Sequence, residues 1–154
     1  MPLSGILGGL VDFFVAFLVL IGMMFYYGII PSAALLTLPL LILLAITTSF
    51  AVSLWLSALN VQYRDVRYTI PFLTQFWMFL TPIAYPSSLV PEKWQFIYGL
   101  NPMTGVVEGF RWALLGKSSL NIYVMSASVC FVLVLLIGGL IYFRRVEKTF
   151  ADVI

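Results

Sequence analysis

The sequence predicts an all-α integral membrane protein: three transmembrane helices plus an extracytoplasmic re-entrant helical hairpin. Three observations carry this. Hydrophobic residues make up 62% and charged residues 9% of the 154, with mean hydropathy +1.08. A soluble domain carries about 25% charge, and a chain this short could not hide so much apolar surface in a core. Apolar runs long enough for helices to cross a hydrocarbon layer of about 30 Å stand near the start, before the middle and near the end. The stretch 59–116 between the last two is broken by prolines and by charge, so the specific work of the chain is expected there.

The first span is residues 6–27. Gly5 and Gly9 are four apart, a spacing that lets a second helix approach closely. Asp12 interrupts this run. A carboxylate in a membrane helix is costly, so Asp12 reads either as a hydrogen-bonded or interfacial residue or as part of a subunit contact. No basic region precedes the run, so a cleaved signal peptide is not expected. Tyr26, Tyr27, Gly28 and Pro31 mark the exit, aromatics at the headgroup level and Gly/Pro at the turn.

Residues 33–59 form the second span. Pro39 is expected to kink it, and Thr47, Thr48, Ser49 and Ser53 can bond back to helix carbonyls or across to a neighbour. Arg64, Asp65 and Arg67 then make a charged loop. Pro71 opens a third, short run that ends at Tyr85, cut by Thr81-Pro82 and Tyr85-Pro86. A short span broken by proline is expected to lie against protein or a water-filled path.

Residues 86–95 are polar, and 96–115 are apolar but carry Asn101-Pro102, Glu108 and Arg111. Asn-Pro favours a turn, and residues at i, i+3 on a helix can pair. This segment therefore reads as a re-entrant or interfacial hairpin, with Gly105 and Gly109 allowing close approach to another helix. The last span, 120–143, is stopped by Arg144, Arg145, Glu147 and Lys148. If 96–115 does not cross, the Arg64 loop and the C-terminal basic cluster share a face. Basic residues favour the cytoplasm, which puts the C-terminus inside and residues 86–117 outside.

Several chemistries are excluded. Histidine is absent, which removes the usual proton shuttle and commonest metal ligand; no metal site, cofactor or catalytic residue is expected. Gly116-Lys117-Ser118 resembles the end of a phosphate loop, but Arg111 stands where that motif needs glycine. A net charge of +2 gives no reason to expect nucleic acid. Cys130 reads as a small core residue. Phe72, Phe76 and Phe79 form one stripe of the third helix. The stripe reads either as packing and interfacial belt, or as a wall along which sugar rings or a lipid-linked chain could slide.

The segments LSALNVQYRDVRYTIPFLTQFWMFLTPIAYP and YGLNPMTGVVEGFRWALLG, with the tail FRRVEKTFADVI, resemble the permease subunit of type-2 ABC exporters. The branch they are most similar to exports polysaccharides such as O-antigen, capsule and teichoic-acid chains. The resemblance implies a second permease copy as partner (a homodimer), two ATP-binding subunits on the cytoplasmic side, and a lipid-linked glycan as substrate, all in the inner membrane of a bacterium. It implies that Asn101, Pro102, Glu108 and Arg111 belong to an extracytoplasmic gate. It also implies that Phe72, Phe76 and Phe79 line the channel, and that Arg64, Asp65 and Arg67 form the cytoplasmic loop near the ATPase.

Family members carry an amphipathic helix, two further spans and a coupling helix ahead of the point where this sequence begins. The expected organisation is thus a transmembrane domain over 1–148, lacking the first two spans, and a short cytoplasmic tail over 149–154. The alternatives are an efflux permease for a drug or small lipid, and a non-transporting membrane assembly protein.

Overall fold

Helices form over the apolar runs, and Gly28, Pro82, Asn101-Pro102 and Gly116 mark the ends of four of them. A computed structural model describes residues 2–29, 33–63, 65–83, 85, 91–116 and 121–151. In chain order, α1 is Pro2–Tyr26, followed by a single 3₁₀ stretch Ala33–Thr37; α2 is Leu38–Gln62, α3 Val66–Leu80, α4 Glu92–Gly99, α5 Pro102–Leu115 and α6 Ile122–Ala151. Among the described residues, three helical stretches are long and apolar enough to cross a membrane: Leu7–Tyr26, Ala34–Gln62 and Ile122–Glu147. The all-helical membrane architecture expected from the sequence is the one observed.

α1 stops at Gly28, whose φ of 67° is left-handed, and the amides of Gly28 and Ile29 reach back to Phe25 and Met24 carbonyls. The chain then turns back, and Met24 packs with Leu38 and Leu41 at the start of α2. Pro39, expected as a kink, stands in the first turn of α2 instead. Its missing N–H is one of those a helix start leaves unpaired anyway. Thr47 and Thr48 donate to the carbonyls of Leu43 and Leu44, the back-bonding expected of hydroxyls in a membrane helix.

α2 and α6 run parallel. Near the start of each, Leu41 and Met125 belong to one apolar cluster. Further along, Trp55 lies across Gly138 and Gly139, within 3.2 Å of where a Cβ on either would sit, and its Nε1 donates to the Leu135 carbonyl at 3.0 Å. Trp55 stacks on Tyr142 with ring centroids 5.2 Å apart. Tyr142 in turn donates to Gln62 at 2.6 Å. Residue numbers rise together along both helices, so the turn after Gln62 and the basic end of α6 lie at the same end of the bundle. We call this the Gln62 end.

α3 returns from the Gln62 end toward the start of α6. Its 15 residues reach about 22 Å at about 1.5 Å per residue, shorter than a hydrocarbon core. It begins at Val66, so Pro71, expected to open the helix, lies inside it. Pro71 cannot donate to the Arg67 carbonyl one turn back, and the helix tolerates this because the loss falls near its start. None of its side chains is buried. Cys130, read as a core residue, is exposed on α6. Hydropathy cannot distinguish a lipid-facing from a core-facing position within a span, and a thiol suits either. Gly9 has nothing within 4 Å of its Cβ position, so the close helix approach expected at that spacing does not occur among the described residues.

Candidate functional site: the hairpin tip and the broken end of α3

α3 ends because Thr81 precedes proline. A residue before proline is pushed out of the α region, and Thr81 is extended at φ −87°, ψ 133°. Its amide and hydroxyl both bond the Trp77 carbonyl, at 3.0 and 2.9 Å. This leaves the carbonyls of Pro82 and Ile83 beyond the helix.

The hairpin consists of α4 and α5, joined at Leu100 and Asn101. Asn101 is the N-cap of α5: its Oδ1 accepts the Met103 amide at 3.1 Å, and Pro102 follows at the first helical position. The same side chain ties the tip to α3. Trp77 Nε1 donates to Asn101 Oδ1 at 3.0 Å, and Asn101 Nδ2 donates to Thr81 Oγ1 at 3.0 Å. From α6, Ser128 Oγ bonds the Gly99 carbonyl at 3.1 Å and the Asn101 carbonyl at 3.5 Å. Ser128 lies six residues into α6, so the tip reaches about 9 Å beyond that helix start.

α5 is held against two helices through its glycines. A Cβ on Gly105 would stand 2.6 Å from Ser128 Cβ, and one on Gly109 would stand 2.5 Å from Leu41 Cδ2. The close approach expected from this spacing is therefore present, against α6 at one glycine and α2 at the other. The Glu108 and Arg111 pair is also formed, at 2.7 Å, with the side chains 17% and 24% exposed respectively. Arg111 reaches further: its other terminal nitrogen donates to the carbonyls of Pro82 at 3.1 Å and Ile83 at 3.5 Å. A cation on carbonyls just past a helix end is favourable to the α3 dipole. Asn101, Thr104, Glu108 and Arg111 thus share one face of α5, at offsets 0, 3, 7 and 10.

Tyr85, past the break, shares a hydrogen bond of 2.8 Å with Tyr98 of α4. That bond pushes the Tyr85 hydroxyl up to about 12. α5 closes at Gly116, left-handed at φ 62°.

The structure therefore brings Asn101, Pro102, Glu108 and Arg111 together with the α3 end. It adds Trp77, Ser128 and Thr81, the last of which the sequence marks only as part of the break before Pro82. The signal available for Trp77 and Thr81 was an indole and a hydroxyl one turn apart beside Thr-Pro; for Ser128 there was none. Phe72, Phe76 and Phe79 are 70%, 55% and 66% exposed; Phe79 lies between Trp77 and Thr81 in the chain, and its carbonyl accepts from the Tyr85 hydroxyl at 3.4 Å. Asp65 and Arg67 are exposed at the Gln62 end, and Arg64 lies outside the described residues.

Among the described residues this arrangement holds no nucleophile–base pair; what it does is tie α3, α5 and α6 together. Residues 3–115 match the family model described as ABC-2 type transporter. Two relatives from Klebsiella pneumoniae, each called O-antigen export system permease protein RfbA, are 28% and 27% identical over 99% of this chain. A protein of the same name from Myxococcus xanthus is 26% identical over 72% of this chain and 44% of its own length. The chain spans 59% of the length of the two Klebsiella relatives. No solved structure matches it. With the family model covering most of its length, the chain belongs to the ABC-2 type transporter family.

Proposed function

We propose that this chain is the membrane-spanning subunit of an ATP-driven exporter that moves a lipid-linked polysaccharide across the bacterial cytoplasmic membrane. ATP is hydrolysed on a separate subunit. The observation that carries the reading is the alignment of nearly the whole chain with permeases named for O-antigen export. The exposed α3 supports a channel role: an aromatic-rich helix with no buried side chain leaves surface for glycan and for a second permease copy. Phe72, Phe76 and Phe79 are the channel-wall residues in this reading, and Asn101, Pro102, Glu108 and Arg111 belong to the gate. Arg67, Arg144 and Arg145 gather at the Gln62 end, and by the positive-inside tendency that end is cytoplasmic. Arg64, Asp65 and Arg67 then face the ATPase, and the hairpin tip dips in from outside.

The test is capture with the ATP-binding subunit of the same export system. Tagged permease should retain that ATPase in about equal amount through purification, and the complex should restore glycan export to a strain lacking both. Capture without glycan export but with drug or lipid efflux would redirect the substrate. No ATPase retained, and no transport in the reconstituted pair, would leave a membrane assembly protein and contradict the proposal.

A further inference from the structure

The hairpin region can loosen in two ways: α5 can leave α2 and α6, or α3 can leave α5. The contacts decide between them. α5 meets its two neighbours through Gly105 and Gly109, where not even a methyl group has free space. Moving it would open a void along two helices, a loss of dispersion contact that nothing in lipid replaces. α3 has no buried side chain, and its described bonds to the hairpin are directional polar ones. They are Trp77 to Asn101, Asn101 to Thr81, Arg111 to the carbonyls of Pro82 and Ile83, and, past the break, Tyr85 with Tyr98. Water can substitute for such bonds near a membrane surface, so they separate more readily than close-packed backbones.

We infer that the polar face of α5, Asn101 to Arg111, is a latch on the broken end of α3, and that opening at this end of the bundle is release of α3 from a stationary α5. Arg111 is the positioning residue. It acts through the Pro82 and Ile83 carbonyls, with Glu108 holding its guanidinium in place. Thr104 lies on the same face between the two ties; it is 1% exposed and its hydroxyl has no partner among the described residues. A cysteine there gives up no hydrogen bond, and because it lies between the two ties to α3 its accessibility should rise when α3 is released. This inference rests on reading the hairpin as the gate, but its test needs neither ATPase nor substrate. It can therefore fail while ATPase capture succeeds, and the reverse.

The experiment uses the full chain in lipid nanodiscs, with Thr104→Cys in a Cys130→Ser background, and measures the rate of reaction with a membrane-impermeant methanethiosulfonate. The reporter should react slowly in the otherwise unaltered chain. Arg111→Gln removes charge-assisted bonds and should speed it about tenfold or more, while Trp77→Phe, which deletes one indole N–H, should speed it about threefold. Arg111→Lys should fall between Arg111→Gln and the unaltered chain. A second reporter, Val106→Cys in the same background, is 4% exposed on the face of α5 that carries Gly109 and Ala113 against α2, and should stay protected throughout because α5 remains in place. An unchanged Thr104→Cys rate in Arg111→Gln overturns the latch. So does exposure of Val106→Cys, which would mean that the hairpin itself lifts away. A matching rise at native Cys130, with Thr104 intact, would mean general loosening and overturns it too.

Discussion

Gly105→Ala should unseat the hairpin from α6, lowering stability by about 1–3 kcal/mol, the usual range for forcing extra volume into a filled contact. The added methyl would stand 2.6 Å from Ser128 Cβ and 2.7 Å from its Oγ. Ser128 Cβ is one bond from the α6 backbone and cannot turn aside, and its hydroxyl is committed to the Gly99 carbonyl. Relief would require the helices to part, breaking the tip contacts at Gly99 and Asn101. Gly109→Ala meets a different neighbour. The nearest atom is Leu41 Cδ2 at 2.5 Å, the far end of a side chain that can change rotamer, so its cost should fall below that of Gly105→Ala. Thermal unfolding of purified chains in nanodiscs measures both. Equal costs, or a neutral Gly105→Ala, would mean that α5 does not sit on α6 as described.

Arg111→Ala should be the more damaging half of its ion pair, at about 2–4 kcal/mol. Breaking a fully buried pair from one side costs about 3–5 kcal/mol, and the residual exposure of 17% and 24% lowers that figure somewhat. Glu108→Ala should cost less. It leaves Arg111 its bonds to Pro82 and Ile83, whereas Arg111→Ala strands both the carboxylate and those carbonyls. The double variant should cost less than the two single variants together, because removing Glu108 removes the group that Arg111→Ala leaves stranded. A thermal-stability cycle over the four proteins tests this. Additivity within about 0.5 kcal/mol would show the pair to be a surface contact without consequence for the fold.

The spans were legible in the sequence because lipid asks little of a helix beyond length and apolar character. Tyr26, Gly28, Thr81-Pro82, Asn101-Pro102 and Gly116 punctuate the helices where local chemistry says they should. The Glu108 and Arg111 pair and the Gly105 and Gly109 contacts were also legible, since offsets of three and four put residues on one helical face. The readings that failed share a cause. Pro39 and Pro71 were placed by the edges of apolar runs, whereas α2 starts later and α3 earlier than those edges. Cys130 was taken as core because a lipid-facing side and a core-facing side have the same composition. Two contacts between helices left no local trace: Trp55 on Gly138 and Gly139 joins segments some eighty residues apart, and Asn101 with Trp77 and Thr81 depends on α3 and the tip ending at the same depth.

The common direction of α2 and α6 supports everything else, because it sets which ends meet and where the tip lies. Single cysteines at Asp65→Cys, Glu147→Cys and Lys93→Cys, each with Cys130→Ser, test it by labelling with an impermeant thiol reagent in intact and permeabilised cells. The expected result is that Asp65→Cys and Glu147→Cys label only after permeabilisation and Lys93→Cys labels in intact cells. Labelling of Asp65→Cys and Glu147→Cys from opposite faces would contradict the parallel pair, and with it the hairpin, the latch and the exporter layout.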